Sequence, residues 1–229
     1  MFKIVDLYDR REMDLIREIV ENHTRTITSC PNLKLEEYHT CVDEETHLRI
    51  GNKKLRVIAI ESARLIENLD GTKRLLSDNP GYRIGEVLYN SKESESRPEF
   101  YFRLVRPDVP EDVGSPHCDY WFHDAFCTGW GMGNTIKYWV PIVTEPGLNG
   151  LFFYPDAPKY IPFIIQEKGG FRRPLIDMPI ADLGSPVLPF PACGQALKFR
   201  DDVLHAGAPN KGQFTRVSME ITLVRLPRQ

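Results

Sequence analysis

Pro116-His117-Cys118-Asp119-Tyr120-Trp121 sets an imidazole and a carboxylate two residues apart. On extended backbone alternate side chains share a face, so His117 and Asp119 point one way and Cys118 the other. Two such groups can chelate one divalent metal from a single side. A histidine from elsewhere in the chain would complete a two-histidine, one-carboxylate triangle with open positions opposite it, which suits non-haem Fe(II) and the activation of O2. A solvated turn with a local His–Asp hydrogen bond accounts for the same six residues, so the flanks decide between the two.

The flanks read as β structure. From Tyr82 onward, short alternating or aromatic-rich segments are separated by Gly, Pro and Asp, the pattern of an antiparallel sandwich or barrel. Strands are expected at 83–89, 99–105, 135–143, 151–154, 195–199 and 214–225, with an exposed polar loop at 91–96. Gly129-Trp130-Gly131-Met132-Gly133-Asn134 has the glycines of a phosphate loop without its strand-to-helix setting or its Lys-Ser/Thr ending, and reads as a turn. A Pro-rich stretch from Gly169 to Ala192 is long enough for a lid, and its Arg172 and Arg173 either catch an anion or are simply solvated.

Upstream the period changes. Asp9 and Glu12 form a capping box before a helical stripe of Leu15, Ile16, Ile19 and Val20. His39 and His47 stand among acidic neighbours in an irregular stretch and read as exposed loop residues. Residues 55–60 alternate like a strand; a helical patch with Leu65, Ile66 and Leu69 on one side stops near Asp70-Gly71; a short helix follows at 73–77 before the Asn79-Pro80-Gly81 turn.

Composition excludes several classes. The chain has 229 residues, 41% of them hydrophobic and 27% charged, as expected for one domain with a proper core. A net charge of -3 provides no basic field for nucleic acid or an anionic membrane. No apolar run is long enough to span a bilayer, and Met1-Phe2-Lys3-Ile4-Val5-Asp6 does not open like a signal peptide. Five scattered cysteines (Cys30, Cys41, Cys118, Cys127 and Cys193), with no Cys-x-x-Cys, read as free thiols. The expectation is a soluble cytoplasmic protein with no nucleic-acid or membrane partner and its oligomeric state left open.

Two later stretches supply what the opening motif lacks. Gly194 through Gly207 reads as a strand, a tight acidic turn and His205 at the start of the next strand. In a jelly roll His205 can meet His117 and Asp119 at one mouth of the barrel. The alternative is a turn histidine bonded to Asp201 or Asp202. In Phe214-Thr215-Arg216-Val217-Ser218-Met219-Glu220, period two puts Arg216, Ser218 and Glu220 on one face and Val217, Met219, Ile221 and Leu223 on the other. If the polar face looks inward, Arg216 needs an anionic partner, and its guanidinium fork fits a carboxylate, with Ser218 adding a hydroxyl donor. A dicarboxylate co-substrate meets that need; a salt bridge with Glu220 is the simpler account.

Together these residues give the chain a resemblance to a known family. His117-x-Asp119, Asn149-Gly150, His205 and Arg216, with the runs Trp139-Val140-Pro141-Ile142 and Asn149-Gly150-Leu151-Phe152, resemble the Fe(II)- and 2-oxoglutarate-dependent oxygenases, and among them the phytanoyl-CoA dioxygenase-like group. The resemblance covers residues 82–225. It implies a fold that is mainly β with flanking helices: a double-stranded β-helix of the jelly-roll, cupin-like kind over 82–229, a barrel buttressed by helices in 1–81, all within one oxygenase domain. It implies Fe(II) on His117, Asp119 and His205, and the distal carboxylate of 2-oxoglutarate on Arg216 with Ser218 assisting. Lys137 falls where a second co-substrate anchor often stands; a solvated strand lysine is the alternative. The implied reaction is hydroxylation or a related oxidation of a small molecule, with release of succinate and CO2.

The chain departs from the group after Asn149-Gly150, where Tyr154-Pro155-Asp156-Ala157-Pro158 replaces a Pro-Gly-Ser-His-like turn. Asp119 is present, whereas halogenating relatives carry a small residue there. Tyr101 or Arg103 on the preceding strand, and Tyr120, Trp121, Phe122 and His123 after the motif, either line the pocket or fill the core. Two other classes stay open: a cupin-like metal enzyme that does not use 2-oxoglutarate, and a non-catalytic jelly-roll binding module.

Overall fold

The computed structural model describes residues 1–51, 53–85, 98–122, 132–168 and 171–226. Expectations for 86–97, Cys127, His123, 129–131 and Gly169-Gly170 lie outside these residues. Strands β1 (Lys3–Asp6), β2 (Tyr82–Ile84), β3 (Phe100–Val105), β4 (Thr135–Val143), β5 (Gly150–Phe153), β6 (Phe163–Lys168), β7 (Phe171–Ile176), β8 (Gln195–Arg200), β9 (His205–Ala208) and β10 (Arg216–Arg225) carry the fold, with helices α1 (Arg10–Thr28), α2 (Tyr38–Cys41), α3 (Glu44–Ile50), α4 (Ile60–Glu67) and α5 (Asp70–Ser77) in the N-terminal part.

The long strand β10 is the axis. It pairs antiparallel with β4 along one edge, and with β3 and then β2 along the other. The large sheet runs β1-β8-β4-β10-β2, with β3 also on β10, and β5 and β9 form a separate two-stranded sheet. The alternation expected for β10 holds. Val217, Met219, Ile221 and Leu223 are fully buried, in one cluster with Ile16, Val20, Tyr38 and Ile66 from the helices. Each such side chain contributes roughly 1.5–3 kcal/mol by leaving water. The other face of the sheet meets β5 and β9: Trp139, Leu197 and Phe199 pack with Leu151 and Phe153. Among the described residues the hydrogen-bonded strands do not close into a ring. The jelly roll is two facing sheets, because β5 and β9 pair with each other and present side chains, not backbone, to the large sheet; the His117–His205 and Phe153–Val187 bridges extend the small sheet with the segments that carry His117 and Val187.

The helical region and the stretch expected as a long loop depart from expectation in five places. Asp9 caps α1 with the full capping box, but 53–56 form a 3₁₀ turn, not a strand, and only Val57 bridges to β3. Asp70-Gly71 opens α5 instead of stopping α4, since Gly71 is where the helix meets the chain: a Cβ there would sit 2.2 Å from the Leu7 carbonyl oxygen. His47 is no loop residue. It is buried in α3, with Nδ1 2.9 Å from the Tyr38 hydroxyl and Nε2 2.9 Å from Asp112, and His39 is likewise helical, half-buried in α2 with Nδ1 2.9 Å from the Thr215 hydroxyl. Finally, 171–176, within the stretch expected as a long loop, is strand β7, paired with β6. Pro174 is tolerated because a two-stranded ribbon leaves outer edges without ladder bonds.

Gly194 fastens β1 to the sheet. Its carbonyl accepts from the Leu7 and Tyr8 amides at 2.9 Å each, its φ is +85°, and a Cβ would come within 2.3 Å of the Tyr8 oxygen. Gly194→Ala is expected to cost at least about 2 kcal/mol, lowering Tm by roughly 4–8 °C for a chain of this size. Gly147→Ala, at φ +73° with nothing within 4 Å of its Cβ, carries only the conformational part and should cost about half as much. Equal losses in a thermal melt would refute the close-approach argument.

Candidate functional site

The two motif histidines meet because the segment carrying His117 pairs with the start of β9. The His117 amide donates to the His205 carbonyl at 2.9 Å and the His205 amide returns the bond at 3.0 Å. This sets the two rings 4.5 Å apart, centroid to centroid. Their outer nitrogens are held by backbone: His117 Nδ1 lies 2.7 Å from the Ser115 oxygen and His205 Nδ1 2.9 Å from the Val203 oxygen. A carbonyl only accepts, so each Nδ1 carries a proton and each Nε2 is the nitrogen left to face a metal. Both Nε2 atoms face one oxygen of Asp119, at 3.7 Å from His117 and 3.9 Å from His205. Donor atoms of the three residues all lie within 4.8 Å of one another.

Burial shapes the charges. Loss of solvent, then the neighbouring His205, pull the His117 pKa down to about 4, so the ring is neutral at pH 7. Burial works against ionisation of Asp119, but Lys137 and the two imidazoles outweigh it and hold its pKa below the ordinary carboxylate value. Its second oxygen, Oδ2, is buried with no hydrogen-bond partner. The neutral His117 ring, the His205 Nε2 turned to the same point and an ionised, incompletely satisfied carboxylate fit a divalent cation.

The pocket around this triad is walled by the inner face of the large sheet and by the small one: Arg103, Lys137, Trp139, Phe199, Arg216 and Glu220 from the former, Leu151 and Gly207 from the latter, with Gly114 at the rim. Arg216, 1% exposed, reaches across the gap. Its Nη1 donates to the Gly150 carbonyl on β5 and lies 3.5 Å from that of Ala208 on β9. Its Nε has no partner, and no acidic side chain pairs with it among the described residues. Burial, then repulsion from Arg103, lower its pKa to about 9, which still leaves it a cation at neutral pH. Glu220 does not neutralise it, because Glu220 is bound to Arg103 at 2.6 Å. Ser218, between Arg216 and Glu220 on the same face, is fully buried with an unpaired hydroxyl. It is not itself a lining residue. Lys137 is one, but it lies 3.7 Å from Asp119 and 3.6 Å from Glu220.

Asn149 and Asn210 hold this frame. The Asn210 amide donates to the carbonyls of Val105 and Phe214, both at 2.8 Å, and its oxygen accepts from Asn149 at 2.9 Å. They thus fix the entry to β5 and the exit from β9, where the Arg216 acceptors lie. Other expectations resolve toward packing. Cys118 points away from the triad into a cluster with Trp121, Leu183 and Leu204, and Trp121 stacks on Phe163 at 4.8 Å. Phe122 meets the His117 ring edge-on at 5.2 Å. Arg172 and Arg173 lie exposed on β7 and are not among the described lining residues. Arg103 does line the pocket, and Tyr101 instead stacks against Arg56 and Arg103. Glu220 had no assigned role in the sequence beyond that of a neighbour to Arg216; the period of β10 already put it on the pocket face, and only the strand register reveals its partner.

No protein-family model matches the chain, and no curated protein matches it in sequence. Solved structures do share its fold. EvdO2 from Micromonospora carbonacea var. aurantiaca, complexed with 2-oxoglutarate, aligns with a TM-score of 0.61 at 11% identity over 100% of this chain and 87% of that one. EctD from S. alaskensis, with 2-oxoglutarate and 5-hydroxyectoine, aligns at 0.55 and 12% identity over 98% and 72%. The non-heme monooxygenase ThoJ, in its apo form, aligns at 0.55 and 12% identity over 98% and 74%. The likeness establishes the fold class: mainly β antiparallel sheets with flanking helices, of the cupin-like kind. No helix among the described residues is long and apolar enough to cross a membrane.

Proposed function

We propose that the chain is an Fe(II)- and 2-oxoglutarate-dependent oxygenase of the phytanoyl-CoA dioxygenase-like group, hydroxylating or otherwise oxidising a C–H bond of a small molecule. The observation that carries this reading is one pocket with a His-Asp-His triad and a buried guanidinium, Arg216, that has no anionic partner among the described residues. Two of the structures that share the fold contain 2-oxoglutarate, and a dicarboxylate has one carboxylate for each of these features.

His117, Asp119 and His205 would hold Fe(II), which when bound supplies oxygen activation for C–H oxidation while 2-oxoglutarate becomes succinate and CO2. The residues of the chain do the positioning. The carbonyls of Ser115 and Val203 keep both Nε2 atoms turned inward. Asp119 contributes one negative charge. Arg216 takes the distal carboxylate of the co-substrate through its unpaired guanidinium edge, with the Ser218 hydroxyl as a further donor. Trp139, Leu151 and Phe199 exclude water from the space between.

The test is oxygen consumption and succinate formation by protein loaded anaerobically with Fe(II). Both are expected to require Fe(II) and 2-oxoglutarate. Bound iron with no response to 2-oxoglutarate would point to a cupin-like enzyme of another kind, and no bound iron to a binding module.

A further inference from the structure

Four charged side chains alternate in sign across the wall of the pocket. Arg103 on β3, Glu220 on β10 and Lys137 on β4 stand on three adjacent strands; Ser218 faces Arg103 and Trp139 faces Glu220 in the register, so each charge is a diagonal neighbour of the next. Arg103 Nε donates to one oxygen of Glu220 at 2.6 Å. The other Glu220 oxygen lies 3.6 Å from Lys137 Nζ, and Lys137 lies 3.7 Å from Asp119 Oδ2. The two oxygens of Asp119 therefore do different things: Oδ1 faces both histidines and Oδ2 faces the ammonium.

We infer that Lys137 is a positioning residue of the metal centre: held beside Glu220, and through it tied to Arg103, its ammonium faces Oδ2 of Asp119 at 3.7 Å and favours Oδ1 as the oxygen presented to the metal. This rests on the reading of the triad as a metal site, and it takes Lys137 away from the role of second co-substrate anchor. The chemistry favours it. An ammonium between two carboxylates is already neutralised, whereas Arg216 is not, so the free positive charge available to a co-substrate is that of Arg216. Without Lys137, Oδ2 becomes available and Asp119 can rotate or bind through both oxygens. An outer partner of this kind is worth roughly 10–100-fold in metal affinity.

The experiment is titration of the intact protein with Co(II), reading both affinity and the visible ligand-field spectrum, for wild type, Lys137→Met, Glu220→Gln and the double variant. Melting curves select the variants that are folded. Lys137→Met should change the Co(II) affinity by about 10–100-fold and change the band intensities, which report coordination number. Glu220→Gln should move both in the same direction by less. The double variant should match Lys137→Met, since Glu220 acts through the lysine. Glu220→Gln carries the test alone if Lys137→Met does not fold. Wild-type affinity and spectrum in the folded variants would overturn the inference, and additive effects in the double variant would overturn the Glu220–Lys137 relay. A wild-type chain that binds no Co(II) would overturn the metal reading beneath it.

Discussion

Arg216→Met is expected to raise the Kd for 2-oxoglutarate by about two to three orders of magnitude, the loss usual when one partner of a buried charged pair is truncated. The same substitution should leave the ligand-free protein more stable. Arg216 is fully buried, its Nε is unpaired, and its hydrogen bonds among the described residues go to two backbone carbonyls. A charge held there without a counter-ion is a standing cost, and a hydrophobic side chain of similar length removes it. Because Met cannot donate to those two carbonyls, part of the gain is forfeited. A net stabilisation of about 1 kcal/mol is expected, visible as a rise of roughly 2–4 °C in Tm. Opposite signs for binding and stability are what a site prepared for an anion requires. A structural arginine would lose stability and leave binding untouched. Isothermal titration and a thermal melt on one preparation decide between them.

The second large effect concerns the triad. In wild type, a divalent ion at a hundredfold excess over its Kd should stabilise the fold by about 2.7 kcal/mol, a rise of roughly 5–11 °C in Tm. Asp119→Ala and His205→Ala should abolish that shift. The two variants should differ in the metal-free state. Asp119→Ala leaves Lys137 with Glu220 as its one remaining counter-ion among the described residues, so it should destabilise the apoprotein more than His205→Ala, whose backbone pairing with His117 survives the substitution. A metal-induced shift that persists in both variants would place the ion elsewhere.

These expectations rest unevenly on sequence. The β10 strand was legible because its burial is one-sided: a strict period of two divided Arg216, Ser218 and Glu220 from Val217, Met219, Ile221 and Leu223, and both faces found the expected surroundings. The α1 cap was legible because a capping box is a local device. Features made by distant partners were not. Strand β1 is four mostly exposed residues whose extended form is fixed by pairing with β8 near the other end of the chain. His47 looked like a loop histidine until Asp112 and Tyr38 enclosed it. The β6–β7 ribbon was hidden by Pro174, which argues against a strand only where ladder bonds are needed on both sides. For the site, residue types and spacing yielded the triad and the arginine, but the Arg103–Glu220–Lys137 chain depends on register across three strands. That register also explains why Glu220, the obvious counter-ion to Arg216 by sequence, is committed to a different arginine.

The most direct test of the account is an anaerobic titration of the Fe(II)-loaded protein with 2-oxoglutarate, followed by visible absorption. The account predicts a saturable metal-to-ligand charge-transfer band in wild type, weakened in Arg216→Met. Bound iron that develops no such band at any 2-oxoglutarate concentration would contradict it.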